Sequence, residues 1–210
     1  MIPVDSLLTF IGASVLLALA PGPDNLFVLA QSAVYGARAG ILVTLGLCSG
    51  LVVHTSAVAL GVAVVFQTSV LAFTVLKVVG ALYLVWLAWQ VFTAPTDSLT
   101  SADAPRLSAA ALYRRGIIMN VTNPKVSVFF LAFLPQFASP ANGSVSLQVF
   151  QLGAWFMLSG FVIFCGIALA AGQIGRRLGQ SARVQSWLNR AAGTVFVLMA
   201  LRLLLTRQES

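Results

Sequence analysis

Charge is what this chain has least of. Only 8% of its 210 residues are Asp, Glu, Lys or Arg, against about 25% in an ordinary globular domain. With 5 acidic residues and 1 histidine, paired carboxylates for acid–base work and His-rich metal clusters have almost nothing to be built from. Cysteine is nearly absent as well. Cys48 and Cys165 lie in separate apolar stretches with no second Cys or His beside them, which excludes a disulfide framework and a zinc site of the usual spacing. No Gly-rich loop ending in Lys-Ser or Lys-Thr occurs, so the nucleotide-hydrolysing loop is missing too.

Apolar surface, by contrast, is abundant. Hydrophobic residues make up 59% of the chain, and the mean hydropathy is +0.96. A chain this short cannot hide so much apolar area from water. A soluble domain, disorder, collagen and a nucleic-acid-binding fold are all excluded, and the bilayer is the expected partner. The net charge of +7 comes from 12 basic against 5 acidic residues. In this setting basic residues mark cytoplasmic loops rather than a surface for nucleic acid.

A transmembrane helix takes about 20 apolar residues, so six use roughly 120 and leave chain for connections only. The pattern predicts helices at about 6–35, 40–65, 70–92, 113–136, 147–172 and 188–206. Positions 40–76 and 126–175 are free of charge; each is too long for one helix. Turns are expected at Gln67-Thr68-Ser69 and at Ser139-Pro140-Ala141-Asn142-Gly143-Ser144. Ala18-Leu19-Ala20 has the look of a cleavage site, but Asp5 precedes it, no Lys or Arg does, and Pro21 would follow the cut. An uncleaved first span is the expectation.

Orientation follows from the arginines. Arg38, then Arg106, Arg114 and Arg115, then Arg176, Arg177, Arg183 and Arg190 fall after helices one, three and five, whereas Arg202 and Arg207 lie opposite. The positive-inside rule then puts both termini on the periplasmic side. Thr93–Leu112, rich in Ala, Ser and Thr, reads as a flexible cytoplasmic linker.

That linker separates two halves that resemble one another. Lys77-Val78-Val79-Gly80-Ala81-Leu82-Tyr83-Leu84 matches Arg190-Ala191-Ala192-Gly193-Thr194-Val195-Phe196-Val197 in pattern. Helix one carries the polar interruption Pro21-Gly22-Pro23-Asp24-Asn25, and helix four carries Asn123-Pro124-Lys125. Three spans per half force opposite orientations. The expected fold is therefore an all-α integral membrane protein, one domain over 1–210. Its six transmembrane helices form two inverted three-helix repeats (about 6–92 and 113–206), with helices one and four broken. Interruptions at matching positions of inverted repeats point to a transporter with a site near the midplane.

Proline explains why such interruptions bear chemistry. It removes an N–H and clashes with the carbonyl four residues back, so the helix opens. Asn123-Pro124 has the cap-then-proline order of a restarting helix, whose free N–H groups attract an anion. Aligning Pro23 with Pro124 sets Asp24 opposite Lys125. A charge at that depth costs about 2.5–3.5 kcal/mol on the insertion scale, so the two are expected to share one cavity, paired directly or across a substrate. A zwitterion suits them, ammonium toward Asp24 and carboxylate toward Lys125. The bland alternative is an ion pair that merely holds the repeats together. The candidate binding or coupling set is Pro21, Gly22, Pro23, Asp24, Asn25, Asn120, Asn123, Pro124 and Lys125.

Weaker candidates are Lys77, which can snorkel to the outer surface, and His54, whose first reading is hydrogen-bonded packing. Gly46-x-x-x-Gly50 permits close helix approach or a homo-oligomer contact. No catalytic residue, metal or cofactor is expected, and so no enzyme. Energy must come from a gradient, and protons are the expected coupler, because the Asp24 carboxyl can exchange a proton for a substrate ammonium.

These motifs together carry a resemblance. Pro21-Gly22-Pro23-Asp24-Asn25, Tyr35-Gly36-Ala37-Arg38-Ala39-Gly40, Asn123-Pro124-Lys125 and Phe129-Phe130-Leu131-Ala132-Phe133-Leu134-Pro135-Gln136-Phe137 closely resemble the LysE/RhtB family of amino-acid exporters. The resemblance implies a bacterial inner-membrane protein of six spans, a homodimer, exporting amino acids or close derivatives on the proton motive force. The Tyr-Gly-x-Arg-Ala-Gly segment looks more like the homoserine/threonine branch, and a single buried acid suits a neutral amino acid. Two alternatives have sequence costs. Export of a metal or other ion would need clustered His, Cys or carboxylates. A membrane thiol relay would need facing cysteines on the broken helices, whereas Cys48 and Cys165 fall in helices two and five.

Overall fold

The computed structural model describes residues 2–20, 22–68, 70–93 and 107–174, with single helical positions at 190, 194, 197, 198, 200, 201 and 204. Pro21, linker positions 94–106, and most of the last expected helix with Trp187, Arg106, Arg176, Arg177, Arg183, Arg202 and Arg207 lie outside the described residues.

Every regular element among the described residues is helical. In order these are α1 (Val4–Leu19), α2 (Pro23–Tyr35), α3 (Ala37–Thr68), α4 (Val70–Thr93), α5 (Ala109–Val121) and α6 (Pro124–Val128). A π-helical turn (Phe129–Phe133) and two 3₁₀ turns (Leu134–Phe137, Pro140–Asn142) then lead into α7 (Val145–Ile174). Helices two, three and five of the sequence reading coincide with α3, α4 and α7 to within a few residues.

Among the described residues two stretches are long and apolar enough to cross a bilayer, Ala37–Gly61 with mean hydropathy 1.9 and Val145–Gln173 with 2.1. At a rise of 1.5 Å per residue, each exceeds the ~30 Å of a hydrocarbon core. Large apolar side chains such as Leu60 (75% exposed) and Trp89 (68% exposed) point outward, the surface expected of a protein solvated by lipid. The count of such spans reaches four if each of two bent helix pairs is one crossing.

Those bent pairs sit at the expected interruptions. α1 and α2 meet at 58°, and α5 meets Pro124–Phe137 at 48°. Each new helix restarts with proline in its first turn, where the missing N–H has no helical acceptor to serve. The second restart is also capped, since the Asn123 side chain accepts from the Lys125 N–H at 3.0 Å.

Beyond its interruption at Asn123-Pro124-Lys125, helix four was expected to run on to 136, and helical turns do reach Phe137, though not as one regular helix. α6 lasts five residues before the chain widens into the π turn. Leu134 N–H reaches back to the carbonyl of Phe129, and Pro135, with no N–H, cannot donate to Leu131. The wider turn brings Phe129, Phe130 and Phe133 into the interior. Phe129 stacks within 4.8 Å of Phe156, 5.1 Å of Phe133 and 5.8 Å of Phe10, centroid to centroid. Phe129→Ala would leave a cavity at the middle of this cluster, costing about 3–5 kcal/mol. The melting temperature of the detergent-solubilised protein should fall by roughly 10 °C; a fall under about 2 °C would mean that the rings carry little stability.

α3 packs along both α5 and α7, and α2 lies against α3 and α7. The α3–α5 contact is backbone to backbone. A Cβ on Gly46 would strike the Tyr113 carbonyl, and one on Gly116 would strike the Val43 carbonyl. A Cβ on Gly50 would meet the Asn120 side chain at 2.8 Å. The Gly46-x-x-x-Gly50 ridge is thus used within the chain, and it seats Asn120 against α3.

Candidate functional site

Opening a helix inside a membrane leaves carbonyls without donors, and such groups are costly there. Four of these carbonyls explain most of the site. Leu17 would bond the N–H of residue 21, which is a proline and has none; its carbonyl accepts instead from Lys125 Nζ at 3.4 Å. Ala20 accepts from the same Nζ at 3.0 Å, and Ala18 from Asn25 Nδ2 at 2.6 Å. The second interruption repeats the logic. Asn120 would bond the N–H of residue 124, again a proline; its carbonyl accepts instead from the Asn123 N–H at 3.0 Å and from His54 Nε2 at 3.1 Å. A carbonyl only accepts, so His54 carries its proton on Nε2.

The two interruptions are also tied directly. Asn123 Nδ2 donates to Asp24 Oδ2 at 2.8 Å across 99 positions of sequence. Lys125 caps the C-terminal end of α1, where its positive charge meets the negative end of the helix dipole. Asp24 and Lys125 do not form an ion pair with each other; each is held by the opposite interruption.

Asp24, Asn25, Asn120, Asn123 and Lys125 are all between 2% and 7% exposed. They converge with Gly22, on which a Cβ would stand 3.0 Å from Lys125 Nζ. Asp24, Asn120 and Lys125 line a cavity of about 30 Å³, together with Leu17, Leu47 and Phe156. That is room for one or two water molecules and too little for an amino acid. Beside it, Asp24 Oδ1, Asn25 Oδ1 and Asn120 Oδ1 are buried acceptors without a hydrogen-bond partner.

Pro23 and Pro124 are exposed and act by setting where α2 and α6 begin. His54 joins the site through the Asn120 carbonyl and packs 5.7 Å from the Phe130 ring. Pro21 and the Lys77 side chain lie outside the described residues. Cys48 and Cys165 are free thiols on α3 and α7, off the bent pairs. Among the described residues no three His, Cys, Asp or Glu side chains converge. Sequence reasoning missed the α1 carbonyls that hold Lys125, though Pro21 was the signal: the fourth residue before a proline always loses its donor. It also missed Gln31, seven residues after Asp24 on the same buried face of α2.

A buried, partly unsatisfied polar site joining two bent helix pairs, in an apolar helical chain, is built like a membrane carrier. The comparisons name the kind. A family model described as LysE type translocator matches residues 15–207, and the chain belongs to that family. Among its relatives, the homoserine/homoserine lactone efflux protein of Salmonella typhimurium is 33% identical over 89% of this chain and 89% of its own. The leucine efflux protein of Klebsiella pneumoniae is 28% identical over 93% of each. A membrane protein of Vibrio cholerae is 32% identical over 90% of this chain and 92% of its own. No solved structure matches. The chain is a multi-pass membrane transporter, not an enzyme.

Proposed function

We propose that this protein exports a neutral amino acid in exchange for protons, binding it where the two bent helix pairs meet. In this reading each bent pair is one interrupted span, the two halves are inverted repeats, and the arginine-bearing face is cytoplasmic. The relatives named for homoserine and leucine efflux support the amino-acid class.

One observation carries the site: three buried oxygens, Asp24 Oδ1, Asn25 Oδ1 and Asn120 Oδ1, lack donors. Each such orphan costs about 1–3 kcal/mol, and a native protein keeps them where something else supplies the donor. A primary ammonium brings three N–H donors and a positive charge to a carboxylate. Lys125, held by carbonyls of α1, is the group to turn to the substrate carboxylate. The cavity of about 30 Å³ is too small for an amino acid, so in this reading the helices part to admit one, with Gly22 and Asn123 as the joints. A carboxylate binds either a proton or an ammonium, so Asp24 couples the two flows.

A purely structural ion pair fits less well, because Asp24 and Lys125 each bind other partners. The double exchange Asp24→Lys with Lys125→Asp tests the difference. The swapped protein should reach the membrane yet carry no labelled leucine or homoserine in proteoliposomes. Recovered transport would remove the binding role.

A further inference from the structure

We infer that the chain holds a second, cytoplasm-facing subsite for the same substrate class, where an α-amino acid docks between Arg38 and Gln31 before reaching the central site. The inference rests on the export reading above and deepens it.

A pocket of about 270 Å³ opens where the end of α2 and the starts of α3 and α5 meet. Its polar wall is Gln31, Tyr35 and Arg38; its apolar wall is Leu42, Leu107 and Leu112. Gly36, at φ +85°, makes the tight α2–α3 turn that sets Tyr35 and Arg38 on one pocket; the left-handed region favours glycine. Gln31 is 4% exposed, and its Oε1 has no hydrogen-bond partner. A buried amide oxygen without a donor, in the wall of a cavity, is costly in a core and useful where a ligand draws it out.

The composition of the pocket specifies its guest. Arg38 offers a guanidinium fork for a carboxylate, Gln31 Oε1 accepts from an ammonium, and the leucines suit an aliphatic side chain. Arg114 and Arg115 are exposed on neighbouring α5, and Arg115 lies over the Phe27 ring of α2 at 4.9 Å. Their field draws anionic groups toward this face. Gln31 follows Asp24 by seven residues on the buried face of α2, two helical turns or about 10.5 Å away. The pocket and the central acceptors therefore lie along one face of α2. A phosphoethanolamine head group carries the same anion-plus-ammonium chemistry, so the test includes it.

The test reads occupancy at the pocket itself. In protein with Cys48→Ala and Cys165→Ala, the substitution Ala109→Cys places a thiol on the pocket rim, and its alkylation by a maleimide is timed. Leucine or homoserine should slow alkylation at least fivefold, in the Asp24→Asn variant as in the parent. Gln31→Leu or Arg38→Gln should raise the half-protecting concentration about tenfold. Protection that vanishes with Asp24→Asn would mean a conformational echo of the central site and overturn the subsite. Protection untouched by Gln31→Leu and Arg38→Gln would overturn it too, as would protection by glycerophosphoethanolamine but not by the amino acids. If neither amino acid protects while proteoliposomes still carry them, the subsite fails and the export reading stands. If neither protects nor is carried, both fail.

Discussion

Asp24→Asn should lower the flux of labelled leucine and homoserine at least a hundredfold while leaving the amount of folded protein unchanged. The substitution is nearly isosteric. The side-chain oxygen at position 24 still accepts from Asn123 Nδ2, so the 2.8 Å bond that ties the two interruptions is retained. What disappears is the negative charge facing a substrate ammonium. An NH₂ also takes the place of Oδ1, one of three unpartnered acceptors, and now opposes a donor with a donor. A hydrogen bond to a charged group is worth about 1.5–3 kcal/mol, and a hundredfold corresponds to about 2.7 kcal/mol. The same variant tests coupling: accumulation against a concentration gradient, driven by an imposed pH difference, should vanish. Flux within twofold of the wild type, or concentrative uptake that persists, would remove Asp24 from both roles.

The second large effect is on folding. Gly116→Leu should prevent recovery of monodisperse protein from membranes, or lower its melting temperature by more than about 10 °C. α3 and α5 touch through Gly46 and Gly116, whose Cα atoms are so placed that a Cβ on either lies 3.0 Å from the other. The nearest obstacle in each case is a backbone carbonyl, which cannot rotate aside as a side chain does. Ordinary overpacking costs about 1–3 kcal/mol; here the helices must separate along their length. In lipid no hydrophobic gain repairs the gap, because association rests on close contact itself. The separation would also draw Asn120 away from His54 and the cavity, so surviving protein should transport poorly. Gly116→Leu protein that melts with the wild type would refute the close crossing. Gly12, with nothing within 4 Å of an added Cβ, is the matched control, and Gly12→Ala should be neutral.

How far the chain could be read beforehand differs from element to element. Pro23 and Pro124 announced where α2 and α6 begin, because a missing N–H is a covalent fact carried by one residue. Apolar length gave α3, α4 and α7 within a few residues, since a bilayer sets the length of what crosses it. The π turn after Val128 was invisible, because it depends on where Phe10 and Phe156 stand. His54 reads from the sequence as hydrogen-bonded packing; that its partner is the Asn120 carbonyl is something only the neighbouring helix could reveal.

The amino-acid sequence alone determined that this protein lives in a bilayer, where its chain is interrupted, and which few charged residues stand inside apolar runs. Those are local properties: hydropathy over some twenty residues, the chemistry of proline, the cost of an ion away from water. Only the tertiary structure decided that Lys125 caps α1 instead of pairing with Asp24, that three acceptor oxygens remain unpartnered, and that Gln31 and Arg38 share a pocket. Each of these depends on which groups meet between helices far apart in sequence. Which donor reaches an acceptor first is settled by the packing of α2, α3 and α5, not by the residues on either side of it.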